Sequence, residues 1–185
     1  SDGVKLAARA WLPINAIEQP VPAILEYIPY RKRDGTAIRD EQMHPYWAAF
    51  GYACVRVDIR GSGESDGLLH DEYLQQELDD AVEVINWLEH QDWCSGKVGM
   101  MGKSWGGFNC LQVAALRPSA LKAIITVCST DDRYADDVHY RGGAVLIENF
   151  SWASTISGFM AKPPDPLLLP ETWREHWLER LQNMP

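Results

Sequence analysis

The chain has 185 residues, 46% of them hydrophobic and 23% charged, the composition of a globular unit with a sizeable core rather than of a disordered or fibrous chain. Seventeen Lys and Arg against 26 Asp and Glu leave a formal charge of −9, which gives no electrostatic footing on a nucleic-acid backbone or an anionic membrane. No apolar run reaches the roughly 18–20 residues that span a bilayer, so neither nucleic acid nor membrane is expected as a partner.

Residues 4–12 alternate loosely up to Pro13 and predict an early, antiparallel strand. A turn at 20–22 leads to a short apolar strand at 23–28, ended by Pro29. Residues 30–41 are polar and basic and read as a loop, and 46–50 as a short helix closed by Gly51. Residues 53–59 are β-rich and read as a strand, followed by a turn at Gly61-Ser62-Gly63. Leu74, Leu78, Ala81, Val82, Ile85 and Leu88 fall at helical spacing and mark the buried face of a helix over 74–90. A short strand at 98–101, a small-residue helix at 106–116 and a buried strand at 121–128 complete the series. Strands alternating with helices from residue 23 to 128 predict a mostly parallel sheet with helices on both faces, an α/β fold.

The pattern changes after Ser129. Asp131, Asp132, Asp136 and Asp137 form an acidic patch. A helix-like stretch at 144–156, a proline-rich break at 163–170 and a last helix at 171–181 follow, with no clear strand. The expected division is therefore 1–130 as the sheet domain and 131–185 as the start of a helical insertion.

Four cysteines, Cys54, Cys94, Cys110 and Cys128, match no zinc spacing. Two lie in apolar runs and read as small core residues. Free thiols suit a reducing compartment, which places the protein in the cytoplasm as an expectation; two disulfides are the alternative.

The chemistry is carried by Gly102-Lys103-Ser104-Trp105-Gly106, followed by Gly107. This fits Gly-x-Ser-x-Gly between a predicted strand and a predicted helix, the strand–turn–helix setting of a nucleophile elbow in an α/β-hydrolase. Only small residues fit beside so tight a turn. It exposes the serine hydroxyl and aims the next backbone N–H, that of Trp105, at a developing oxyanion. A helix-capping serine in a glycine-rich turn is the plain alternative. A phosphate loop is excluded because position 97 is Lys97 where a glycine is required, and a dinucleotide fingerprint because position 66 is Asp66. Asp58 and Arg60, at a strand end beside the 61–63 turn, read as a structural ion pair.

Several stretches together resemble the X-Pro dipeptidyl-peptidase and cocaine-esterase family of serine hydrolases. They are Ile28-Pro29-Tyr30-Arg31-Lys32-Arg33-Asp34, residues 51–61 (GYACVRVDIRG), residues 93–107 (WCSGKVGMMGKSWGG), residues 121–124 (LKAI) and the region 140–143. The resemblance implies an α/β-hydrolase core, Ser104 as nucleophile, the Tyr30 hydroxyl and the Trp105 N–H as the two arms of an oxyanion hole, and a tail that begins the family's helical cap. It implies no metal or organic cofactor. Tyr140 and Trp152 are candidates for the substrate pocket, with core packing as the plainer role of each.

A serine nucleophile needs a histidine base and a carboxylate, in this fold in the order Ser, acid, His. His44, His70 and His90 precede Ser104; His139 and His176 follow it but lie in the presumed cap. Asp131 and Asp132 read as cap-entry residues. The expectation is that the triad acid and base are not in this chain, that the 185 residues alone are an inactive fragment, and that the sheet has an open edge and an uncovered apolar face. The expected substrate is a peptide, or a small-molecule ester or amide. An X-Pro dipeptidyl-peptidase, an esterase or amide acylase for small or aromatic acyl groups, and a catalytically silent binding domain stay open.

Overall fold

The computed structural model describes residues 2–184. In chain order the sheet comprises β1 (Ala8–Trp11), β2 (Val21–Ile28), β3 (Ala53–Asp58), β4 (Cys94–Lys103) and β5 (Leu121–Val127), arranged β1-β3-β2-β4-β5. β1 pairs antiparallel with β3, and the other three pairings are parallel. Parallel neighbours need crossovers. These are α1 (Ala37–Ala49), α2 (Gln75–Glu89) and α3 (Trp105–Ala115). The arrangement is the α/β architecture expected from the alternation.

Strand periodicity divides the two faces. Ala23, Leu25 and Tyr27 of β2 are fully buried and join Ala81, Ile85 and Leu88 of α2 and Cys110 and Val113 of α3 in the main core. The intervening Glu26 meets α1 instead, through Arg39 at 2.6 Å and His44 at 3.3 Å. The interior face of α1 is thus polar: its buried residues are Asp40 and His44, with His44 stacked on Trp11. This helix corrects the reading of 30–41 as all loop and of a helix only at 46–50.

Among the described residues β1 and β5 each have a single strand neighbour, and the edge at β5 is open, as expected; this corrects the reading of 121–128 as a buried strand, since Ile125 and Val127 are exposed there. An apolar groove of about 370 Å³ runs past Ile24, Trp47, Met101, Ile124 and Ile125. Cys54, Cys94 and Cys110 are buried, Cys128 is exposed, and all four are free thiols. No helix among the described residues is long and apolar enough to cross a membrane.

After β5 a small hairpin pairs β6 (Tyr140–Arg141) with β7 (Ala144–Val145). Gly142 and Gly143 supply φ values of +56° and +79°, as a type I′ two-residue turn requires. The tail therefore does hold strands, and its first helix, α4 (Glu148–Met160), begins after the hairpin rather than at 144. Helix α5 (Trp173–Gln182) follows. Two buried arginines tie these helices to the sheet. Arg180 of α5 donates to the carbonyls of Gly63 and Ser65 at 2.9 and 2.6 Å. Arg31, just past β2, donates to those of Lys162 and Pro163 at 3.2 and 2.7 Å.

Candidate active site

The strand order places the site. The chain runs from β2 outward to β3, then returns to β4 on the other side of β2. Ligands bind in the crevice at the strand C-termini where an open parallel sheet reverses in this way. Tyr30 follows the end of β2 and Ser104 the end of β4, and these strands are parallel neighbours. Two residues 74 positions apart in sequence therefore emerge side by side.

Ser104 has φ +57° and ψ −118°, a left-handed backbone that a non-glycine residue adopts only at a cost of about 1–3 kcal/mol. The turn is held by Ser104 N–H donating to Val127 O at 2.8 Å and by Phe108 N–H donating to Ser104 O at 3.0 Å. Close packing dictates the glycines. A Cβ on Gly102 would stand 2.2 Å from the Gly106 backbone carbon, and one on Gly106 would stand 2.7 Å from Ile28 Cγ2. Trp105 opens α3, so its N–H is one of the unpaired donors of a helix start and lies at the positive end of the helix dipole.

The Tyr30 hydroxyl lies beside both the Ser104 side chain and the Trp105 N–H. Burial pushes its pKa up to about 12, against the opposing effect of those two contacts. The phenol thus keeps its proton, and stays a donor, throughout the physiological range. Its ring packs edge-on against Trp152 of α4, centroids 6.2 Å apart, and against Phe159 at 5.7 Å.

Residues the sequence did not single out support this arrangement. Glu77 of α2 is buried and accepts the Trp105 indole N–H at 2.5 Å and the Tyr73 N–H at 3.0 Å. Burial raises its pKa, opposed first by the Trp105 bond. A readable signal existed: Glu77 lies on the apolar stripe of α2, between Leu74 and Ala81, where a carboxylate needs a partner. Asp58 and Arg60 do not pair with each other, which corrects the sequence reading. Asp58 ends β3 facing the loop after β2, where Lys32 Nζ lies 3.0 Å away, and it also meets Arg56 of its own strand at 3.2 Å. Arg60, beyond the strand, turns to Asp80 of α2 and Asp2, at 2.7 and 2.8 Å. Lys32 also holds Glu64 at 2.6 Å, so the loops after β2 and β3 are tied beneath Tyr30.

A cavity of about 400 Å³ adjoins the elbow, its walls including Trp105, Trp152, Ile156, Met160 and Glu72. Trp152 belongs both to this wall and to the packing around Tyr30. Tyr140 does not join them; it stands on β6, 43% exposed. His139 is bound to Glu72 and Asn149, and His176 faces Asp66 at 3.7 Å. His44, on the buried face of α1, groups with Asp40 of the same helix and Glu26 of β2. That trio has the donor set of a metal site, but the guanidiniums of Arg39 and Arg56 lie 2.6 and 3.5 Å from its carboxylates and already balance their charge.

Comparison with known proteins bears on this geometry. Cocaine esterase from Rhodococcus sp. (strain MB1 Bresler) is 34% identical over 161 residues, covering 84% of this chain and 27% of the esterase. A putative Xaa-Pro dipeptidyl-peptidase from Streptomyces avermitilis is 31% identical over 119 residues, covering 56% of this chain and 17% of that protein. Among solved structures, a CocE/NonD family hydrolase from Staphylococcus aureus superposes with a TM-score of 0.72 at 24% identity, over 95% of this chain and 36% of that one. The chain thus spans about a quarter of the esterase's length. Residues 2–185 match the family described as X-Pro dipeptidyl-peptidase (S15 family), with the elbow inside the match, and the chain belongs to that family.

Proposed function

We propose that this chain is the nucleophile-bearing part of a serine hydrolase, with residues 131–185 forming the start of a cap over the site. The observation that carries the reading is the convergence of the Ser104 hydroxyl, the Tyr30 hydroxyl and the Trp105 N–H at the ends of β2 and β4. Ser104 Oγ attacks the carbonyl carbon of an ester or amide, and its proton passes to a base. The carbonyl oxygen becomes an oxyanion and accepts hydrogen bonds from Tyr30 and Trp105, two donors fixed before the charge develops. Collapse of the tetrahedral species expels the alcohol or amine with a proton and leaves an acyl-serine. Water then attacks the acyl-serine and releases the acid. The histidines after Ser104 are engaged elsewhere. On this reading the base and its carboxylate belong to the part of the relatives' length that this chain does not span.

For substrate, the family points to X-Pro peptides. The cocaine esterase likeness covers more of the chain, at higher identity, than the peptidase likeness. That, with the aromatic wall of the adjoining cavity, favours a second reading: an esterase or amide acylase for small or aromatic acyl groups. The test uses the full-length protein beside its Ser104→Ala variant, on an X-Pro anilide and a short-chain nitrophenyl ester. Serine-dependent anilide cleavage establishes the peptidase, and serine-dependent ester cleavage alone the esterase. Equal turnover by both proteins would remove Ser104 as nucleophile.

A further inference from the structure

Glu72 lies in the loop between β3 and α2, and no step of the proposed reaction uses it. Both of its carboxylate oxygens are nonetheless taken up by the cap. Trp152 Nε1 donates to one, and His139 Nε2 lies 3.0 Å from the other. Asn149 closes the group: its amide donates to the His139 carbonyl at 3.0 Å, and its oxygen meets His139 Nδ1. Asn149 and Trp152 are three residues apart on α4, so they share one face, and Asn149, Trp152, Ile156 and Phe159 lie on its half-buried stripe. Glu72 and His139 are only 21% and 14% exposed. A hydrogen bond to a charged group so shielded from water is stronger than an ordinary surface contact.

The ring that Glu72 holds is the one that supports the oxyanion tyrosine. Trp152 packs edge-on against Tyr30 and tilted against Trp105, with centroid distances of 6.2 Å in both cases. An indole held at its N–H by a fixed carboxylate has one orientation. Released, it has the rotamers of a half-buried tryptophan, and Tyr30 loses a wall.

We propose that Glu72 is a positioning residue for the oxyanion hole: it clasps Trp152 across the junction of sheet and cap and thereby fixes the Tyr30 ring beside Ser104. The proposal rests on Tyr30 serving as an oxyanion donor. Small displacements matter here, since a misplacement of about 1 Å at a catalytic group costs on the order of 100-fold in rate.

The experiment is a cycle in the full-length protein: Glu72→Ala, Glu72→Gln, Trp152→Phe, Tyr30→Phe and the Glu72→Ala/Tyr30→Phe double variant, assayed for kcat and KM on whichever substrate the Ser104 test identifies. Glu72→Ala is expected to lower kcat about 10-fold with KM within about 2-fold. Glu72→Gln keeps an acceptor for the indole without the charge, and is expected within about 3-fold of the parent, which separates positioning from electrostatics. Trp152→Phe should match Glu72→Ala. The double variant should be no slower than Tyr30→Phe alone, because a residue acting through Tyr30 has nothing left to act through. Additive losses, or equal losses in Glu72→Gln and Glu72→Ala, would overturn the proposal while leaving the hydrolase reading intact. An inert Tyr30→Phe would overturn the oxyanion assignment and the proposal together. If Glu72→Ala does not fold, Trp152→Phe runs the same cycle with Tyr30→Phe.

Discussion

Two glycines of the elbow are predicted to fail in different ways when replaced by alanine. At Gly106 the added Cβ stands 2.7 Å from Ile28 Cγ2, a side-chain methyl that is itself buried. Relief requires Ile28 to move about 1 Å into a packed core, and overpacking of this kind costs about 1–3 kcal/mol. At Gly102 the Cβ stands 2.2 and 2.3 Å from the carbonyl carbon and oxygen of Gly106. No rotamer change removes a main-chain atom, so the turn itself must open and carry Ser104 away from Tyr30. Gly106→Ala should therefore lower Tm by a few degrees, at about 2–4 °C per kcal/mol for a unit of this size, and should still label at Ser104 with a fluorophosphonate. Gly102→Ala should lose labelling by 100-fold or more, in line with the order of magnitude expected when reacting groups shift by about 1 Å. Ile28→Ala removes the clashing methyl. Alone it costs about 2–5 kcal/mol; combined with Gly106→Ala, which partly refills the space, it should cost less than the sum of the two. Thermal melts and labelling rates of the four variants test this. Strict additivity, or equal labelling in Gly102→Ala and Gly106→Ala, would refute the steric account of the elbow.

Tyr30→Phe keeps the packing with Trp152 and Phe159 but removes one donor, and kcat should fall by about 100- to 1,000-fold with little change in Tm. Because burial holds Tyr30 at about 12 against an ordinary value near 10, the folded state keeps a proton that the unfolded state releases. Stability should accordingly fall between pH 10 and 12, and less so in Tyr30→Phe, as followed by thermal melts in that range. Glu77 has a raised pKa, so as pH rises above the ordinary carboxylate range the folded state again holds the extra proton and loses stability. Glu77→Gln should remove that slope, so that its Tm relative to the parent climbs as pH rises above the ordinary carboxylate range; a constant difference would show the carboxylate to be ionised without cost. Burial holds the Cys54 and Cys110 thiols at about 12. Peptide mapping after brief iodoacetamide treatment at pH 8 should find both unmodified in the native protein and modified in urea, because the thiolate is the reactive form.

What was legible in the sequence follows from the range of the physics involved. The elbow is a local steric rule, since its glycines meet atoms within a few positions or on an adjacent strand, and its strand–turn–helix form was legible in five residues. The apolar stripe of α2 and the strands β2 to β4 were legible because each has a buried hydrophobic face at the expected period; β5 was legible as an apolar β-rich run, although it has no buried residue. Helix α1 was not, because its buried face consists of Asp40 and His44 matched to Glu26 on β2 and Arg56 on β3, and Pro45 lies inside it. No apolar period exists where the burial is ionic. The β6–β7 hairpin escaped because its strands have two residues each, although Gly142-Gly143 between them is a turn signal in its own right. Glu72 had no signal at all: Trp152 is 80 positions away, and only the fold brings them together.

The same contrast explains why so much charge is buried beneath this site. Tyr30 sits on a loop, and a loop has no ladder of hydrogen bonds to fix it. Arg31 beside it is anchored to Asp34 and to two carbonyls of the α4–α5 connection. Lys32 is anchored through its N–H and Nζ to Asp58 at the end of β3, and through Nζ to Glu64. Asp58 in turn meets Arg56, which faces Glu26 and Asp40. Burial raises the pKa of Asp58 and lowers that of Arg56, so each charge is costly by itself and is tolerated because its partners share it. Apolar residues of equal volume would stabilise the fold as well or better, but dispersion contacts are not directional and would let the loop settle in neighbouring positions. Charge-assisted hydrogen bonds have both distance and direction. Leu25 and Tyr27 on one face of β2 supply hydrophobic stability, while Glu26 on the other and Arg31 and Lys32 just beyond supply registration. The division places bulk burial under the serine and directional bonding under the tyrosine, the residue whose position no strand or helix would otherwise define.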